Sequence, residues 1–235
     1  MRWTKKLPAS EKKKLVESVK MHRRLQLGYP TRIYNASRRL SDLNVQGQII
    51  TSIIRKIMLK KKNGPARVLD AGAGLLGVSG DLKKLFGNRI HITAITLRHP
   101  NTSKRSKQLA LEKTIAQSND LVISEHPAVK QELLKKHSKL IQIGRKYSKT
   151  VDRVQVGLLE NMSPKGKYDV VLDVSGAISY TDYPEHTFEL LRQMLSRGGR
   201  IVQTYSPSSM QRDFFEVVQA PKDKLSHGIW VLKSK

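Results

Sequence analysis

The stretch Val68-Leu69-Asp70-Ala71-Gly72-Ala73-Gly74-Leu75-Leu76-Gly77 decides how this chain is read. An apolar run ends in an acid, two glycines follow one residue apart, and apolar residues then recur at helical spacing. That is the order of a buried strand, a tight turn and a helix. Glycine has no Cβ, so positions 72 and 74 permit both the turn and a close approach of bare backbone to a ligand. Asp70 stands at the carboxyl end of the strand, the edge at which open α/β sheets form their ligand crevice.

Downstream of this stretch, strand-like and helix-like segments alternate. Arg67–Ala71 reads as a buried strand, Leu75–Phe86 as a helix closed by Gly87, and Arg89–Leu97 as a second strand rich in Ile and Thr. Val151–Val156 and Tyr168–Val174 are further strands. Pro184–Leu195 is a helix ended by Gly198-Gly199, and Arg200–Tyr205 is a strand. Phe214–Gln219 and Gly228–Leu232 pair as a terminal antiparallel hairpin. Residues 98–150 read ambiguously, with helices near 103–117 and 127–137 and short apolar runs at Leu121–Ile123 and Leu140–Ile143. Strands separated by helices predict a doubly wound, mostly parallel α/β sheet with helices on both faces.

Upstream, Ser10 caps a first helix that carries Leu15, Val16 and Val19 on one face and ends at Gly28. A second helix starts at Ser41-Asp42, with Val45, Ile49, Ile50, Ile53, Ile54, Ile57 and Met58 at helical spacing. Lys60, Lys61 and Lys62 suit its C-terminal dipole, and Asn63-Gly64-Pro65 stops it. The expected organisation is a basic helical extension over residues 1–63, then a sheet domain over 64–235 with an insertion at about 98–150.

Charge divides along similar lines. The 235 residues hold 44 Lys+Arg against 19 Asp+Glu, a net charge of +25. Residues 1–62 hold 17 basic and 3 acidic residues, residues 97–153 hold 13 and 5, and the remainder 14 and 11. A near-neutral core flanked by two basic segments points to a polyanionic partner, although solvated lysine faces give the same count. Arg23, Arg24, Arg32, Arg38 and Arg39, interleaved with Tyr29 and Tyr34, are candidates to grip phosphates and stack on bases. Arg98, and Lys104 and Arg105 within the polar stretch Asn101–Lys107, join that candidate nucleic-acid set. With no cysteine, disulfides, thiolate metal sites and cysteine nucleophiles are excluded. No apolar run approaches the roughly 18 residues of a membrane span, and no apolar leader opens the chain. A cytoplasmic protein without a bound metal is expected, and its oligomeric state is open.

Asp70-Ala71-Gly72-Ala73-Gly74 resembles the first motif of the class I, Rossmann-like, S-adenosylmethionine-dependent methyltransferases. The support is distributed along the chain. Lys167-Tyr168-Asp169-Val170-Val171-Leu172-Asp173 resembles that family's fourth motif strand. Leu190–Val202 resembles its helix, glycine turn and fifth strand, with Arg197 in the usual proline place. Gly157-Leu158-Leu159-Glu160-Asn161-Met162 looks like the segment that borders the adenine. The family also carries an antiparallel seventh strand, which the terminal hairpin suits. The resemblance covers roughly residues 64–235.

It implies S-adenosylmethionine as cofactor, held by Asp70, Gly72, Gly74, Gly77, Thr96, Leu97, Glu160, Asn161 and Asp173, with Asp173, Ser175 and Tyr180 on the reaction side. Asp182 and His186 follow in the same region, and a surface position suits His186 better than catalysis. The chain departs from the family in three places. Strand two ends Ile95-Thr96-Leu97-Arg98 where an acid usually holds the ribose, so Thr96 would serve instead. Leu158 stands where the third motif often has Asp, and residues 98–150 exceed the family's plain link.

The chain has Asp173-Val174-Ser175-Gly176 in place of an Asn/Asp-Pro-Pro-Tyr/Phe motif, which argues against adenine-N6 methylation. Ile201–Tyr205 lacks the lysine of ribose 2′-O-methylating enzymes. Gly72-x-Gly74-x-x-Gly77 also matches a dinucleotide fingerprint, with Arg98 set to meet an NADP 2′-phosphate. Against that reading, Asp70 lies where cofactor phosphates would sit. The acceptor expected from the charge is RNA, ribosomal or transfer. The alternatives are a small molecule or a protein, with residues 1–62 as a lid, or a relic fold that binds RNA without catalysis.

Overall fold

The computed structural model describes residues 39–96, 142–157, 159–162, 166–174, 178, 181, 183–221 and 228–235. Seven strands form one sheet: β1 (Ala66–Asp70), β2 (Ile90–Thr96), β3 (Arg153–Val156), β4 (Tyr168–Asp173), β5 (Leu195–Gln203), β6 (Phe215–Gln219) and β7 (Trp230–Ser234). Their order is β3-β2-β1-β4-β5-β7-β6. The five strands from β3 to β5 run parallel. β7 runs antiparallel to both β5 and β6. This is the Rossmann-like sheet expected, with the C-terminal hairpin inserted so that β7 lies next to β5.

Four α-helices lie wholly within the described residues: α1 (Val45–Lys60), α2 (Gly77–Phe86), α3 (Pro184–Met194) and α4 (Ser209–Phe214). Alternation along each strand divides the core into two layers. Val68, Ile92, Val170, Leu172 and Val202 face a cluster with Ile50, Ile54 and Met58 of α1 and Leu82 and Phe86 of α2. Leu69, Ile95, Val171 and Ile201 face Phe188, Leu191 and Met194 of α3, with Phe215. Both faces are covered, which is why the central strands read as nearly continuous apolar runs.

α1 lies within the stretch read as an extension, and its Ile50 and Ile54 are fully buried in the cluster shared with the sheet, at about 1.5–3 kcal/mol for each large apolar side chain buried. Part of the stretch read as an insertion packs into the same cluster. Residues 142–147 are helical, and Tyr147 and Val151 are buried in the same cluster. The helices expected near 103–117 and 127–137, the run Leu121–Ile123, and the first helix near Ser10 lie outside the described residues.

The glycine pair at 198–199 does not end α3. β5 follows Met194 directly, and its pairing with β4 jumps from Tyr168↔Leu195 to Val170↔Arg200. The residues between form a bulge, with Gly198 at φ +80° and Ser196 donating to Asp169 at 2.9 Å. α4 precedes β6 and takes in Phe214, read from sequence as the first residue of the hairpin. Ser208 caps it by accepting from the Gln211 amide at 3.1 Å, and the Ser-x-x-Gln spacing is the sequence signal for that cap.

Candidate cofactor site at the strand ends

Order reverses between β1 and β4, so the carboxyl ends of these two neighbours form the switch point at which such sheets bind ligands. The turn after β1 spans this gap. The Ala71 amide donates to the Leu172 carbonyl of β4, and the Ala73 amide to the Ile95 carbonyl of β2, both at 2.9 Å. Gly74 has φ +50°, as its place in the sequence requires. Leu76 has φ +65° without being glycine, a conformation costing about 1 kcal/mol or more that the surroundings must impose. Its fully buried side chain is what holds it there, and Gly77 opens α2 immediately after.

Asp70 is 2% exposed. It accepts from the Ser79 hydroxyl of α2 at 2.6 Å and from the Gly72 amide. Burial pushes its carboxyl up to about 6, against the pull of those two donors. Among the described residues the acid has hydrogen bonds and no cation, so a positively charged ligand beside it would relieve its desolvation.

Asp173, fully buried at the end of β4, accepts from the Ile178 amide at 3.2 Å and from the Tyr205 hydroxyl. Register sets its Cα opposite Gln203 and that of Asp70 opposite Leu172. Alternation therefore turns Asp70 toward the α1–α2 layer and Asp173 toward the α3 layer. Two buried acids flank the crevice, one on each side of the sheet. The Asp173 carboxylate is engaged by the Tyr205 hydroxyl and the Ile178 amide.

Thr96, expected at the ribose, is 5% exposed and donates its hydroxyl to the Gly74 carbonyl at 2.8 Å. Its proton braces the glycine turn. Glu160 is buried within the single turn Leu159–Asn161. The ring of His186 on α3 bonds the Glu160 carbonyl at 3.2 Å, which ties α3 to that turn. Arg39 is drawn inward, its guanidinium donating to Asp81 at 2.9 Å. Leu97, Ser175, Tyr180, Arg23, Arg24, Arg32, Arg38, Arg98, Lys104 and Arg105 lie outside the described residues.

Sequence reasoning missed Tyr205 and the buried pair Gln203–Gln211. In that pair Gln211 donates to Gln203 at 2.7 Å and Gln203 returns a bond at 3.3 Å. Their position at the end of β5, the strand beside the switch point, was the available signal.

No family model matches the chain, and no curated protein matches it. Solved structures do. The glycopeptide N-methyltransferase MtfA matches at 17% identity over 68% of this chain and 54% of that one, with a TM-score of 0.34. CalS10, an amino pentose methyltransferase from Micromonospora echinaspora solved with S-adenosylmethionine, matches at 16% over 65% and 48%, with a TM-score of 0.36. The [4+2]-cyclase SpnF matches at 13% over 74% and 58%, with a TM-score of 0.40. The chain spans about half the length of these structures. Likenesses of this size fix neither activity nor substrate, and one of the three is named for a cyclisation.

Proposed function

We propose that this chain is an S-adenosylmethionine-dependent methyltransferase whose acceptor is carried on RNA. The observation that carries the cofactor assignment is the buried acid Asp70 beside a glycine turn at the switch point. S-adenosylmethionine brings a sulfonium and an ammonium, and buried carboxylates favour cations. A dinucleotide brings a pyrophosphate, which Asp70 would repel. The sheet also differs from the dinucleotide order 3-2-1-4-5-6, since β7 enters antiparallel between β5 and β6.

In this reading the bare backbone of Gly72 and Gly74 approaches the cofactor, Asp70 answers its positive charge, and Glu160 and Asn161 border the adenine. When bound, the cofactor supplies an activated methyl group, so the protein's work is positioning and exclusion of water. Asp173 fixes the loop after β4 through the Ile178 amide and fixes Tyr205 at the end of β5. The closed ring Gln203–Gln211 holds α4 against the same edge.

The RNA assignment rests on charge. A net +25 concentrated in two segments beside a near-neutral catalytic core suits an extended polyanion. Transfer of tritium from labelled cofactor into cell extract tests the proposal, with separate RNase and protease digestions. Label released by RNase alone is expected. Label released only by protease, or found in small solutes, would move the acceptor to a protein or small molecule.

A further inference from the structure

We infer that the RNA docks on the face built by residues 142–150 and the outer side of α2, with Lys84, Lys146 and Lys149 as its phosphate contacts. The inference rests on the methyltransferase reading and adds to it the place where the acceptor is held.

The helical residues 142–147 have two sides. Gly144 and Tyr147 are buried, whereas Gln142, Lys146 and Lys149 are exposed. The inner side is fitted closely to α2 and to the glycine turn. A Cβ on Gly80 would lie 2.0 Å from the Tyr147 ring, and one on Gly144 would lie 2.8 Å from the Leu75 carbonyl oxygen. The outer side is therefore one packed layer away from the turn assigned to the cofactor.

The acids near this face are already used. Asp81 accepts from the Arg39 guanidinium, the Leu40 amide and the Tyr147 hydroxyl, and these donors hold its carboxyl below the usual range despite burial. Asp152 accepts from Lys83 through both oxygens at 2.8 Å and from the Ile92 amide at 2.8 Å. Lys84 stands 4.8 Å from the centre of the Tyr147 ring, with its ammonium 3.2 Å from the hydroxyl. Lys84, Lys146 and Lys149 form no ion pair among the described residues. Their charge is left for a partner, and lysine is a common point-charge ligand for phosphate.

The net charge of +25 adds a long-range attraction for any polyanion, and several exposed lysines on one face suit a long phosphate backbone better than a compact acidic patch.

The test uses the full chain and a fluorescein-labelled single-stranded oligoribonucleotide, with binding read by anisotropy over a salt series. K84E/K146E/K149E is compared with K56E/K60E/K62E, an equal charge change on exposed lysines of α1 and the residues just after it. The face variant is expected to weaken binding at least tenfold, with a salt dependence shallower by about 2 in log–log slope; the α1 variant is expected to change it less than about threefold. Because Lys84 touches Tyr147, K146E/K149E is measured as well, with circular dichroism confirming the fold, and is expected to show most of the loss. Equal weakening in both triple variants would overturn the inference, as would polyglutamate displacing the RNA at matched charge. Calorimetry with S-adenosylmethionine separates the two claims. Normal cofactor binding with indifference to the face variant sinks the docking face alone. RNA binding through this face by a protein that ignores the cofactor sinks the methyltransferase reading instead.

Discussion

At Asp70, burial lifts the carboxyl to about 6 while Ser79 and the Gly72 amide pull it down. The native state thus holds a proton that the unfolded chain, near 3.8, has already released. Asp70 favours folding fully below pH 4 and loses that contribution as pH rises through about 6. Above that the buried charge costs at most ~3 kcal/mol, at 1.36 kcal/mol per unit. Asp70→Asn should therefore gain on the wild type between pH 4 and pH 7, as read by urea unfolding at both pH values; an unchanging difference would contradict this. The same substitution should abolish S-adenosylmethionine binding, because it removes the charge that answers the sulfonium. Gly72→Val should abolish binding as well, by filling the space left to bare backbone. Wild-type affinity for the cofactor should rise from pH 5 to pH 7 as Asp70 ionises, and calorimetry at the two pH values checks it. Asp70 and the glycines were legible because their roles follow from residue type and strand position. The bracing of Thr96 and the engagement of Asp173 by Tyr205 were not, since each depends on a partner 22 or 32 residues away.

The first turns of α2 join the two halves of the account. Within three residues, Ser79 holds Asp70, Gly80 receives the Tyr147 ring, and Asp81 gathers Arg39, Leu40 and Tyr147. Gly80→Ala drives a methyl into that ring, and overpacking of this kind costs about 1–3 kcal/mol; chemical denaturation is expected to show the loss. Asp81→Ala leaves the Leu40 amide and the Tyr147 hydroxyl without their acceptor, at about 2 kcal/mol. It should also speed proteolytic cleavage beside Arg39. Cleavage at the wild-type rate would show that Asp81 does not hold Arg39 in place. Most elements were readable here, since α1, α2, α3 and the central strands carry regular apolar spacing. Residues 142–147 escaped because only Gly144 and Tyr147 among them are fully buried, too few for a periodic signal. α4 escaped because it has only six residues.

Across the whole molecule, a largely apolar sheet carries Asp70 and Asp173 at the carboxyl ends of two central strands. The parallel sheet with both faces covered was legible in the alternation of strands and helices, and the antiparallel hairpin in the two terminal apolar runs; the place of β7 beside β5 was not. Packing of α1 into the core was not, because the helix is chemically continuous with the basic stretch before it. Among the described residues no helix is long and apolar enough to cross a membrane. The most direct test of the central claim is calorimetric titration of the full chain with S-adenosylmethionine at pH 7, beside Asp70→Asn. One site per chain in the wild type, lost in a variant that remains folded, is expected. A wild-type protein that takes up no cofactor, or a variant that binds it equally well, would contradict the account.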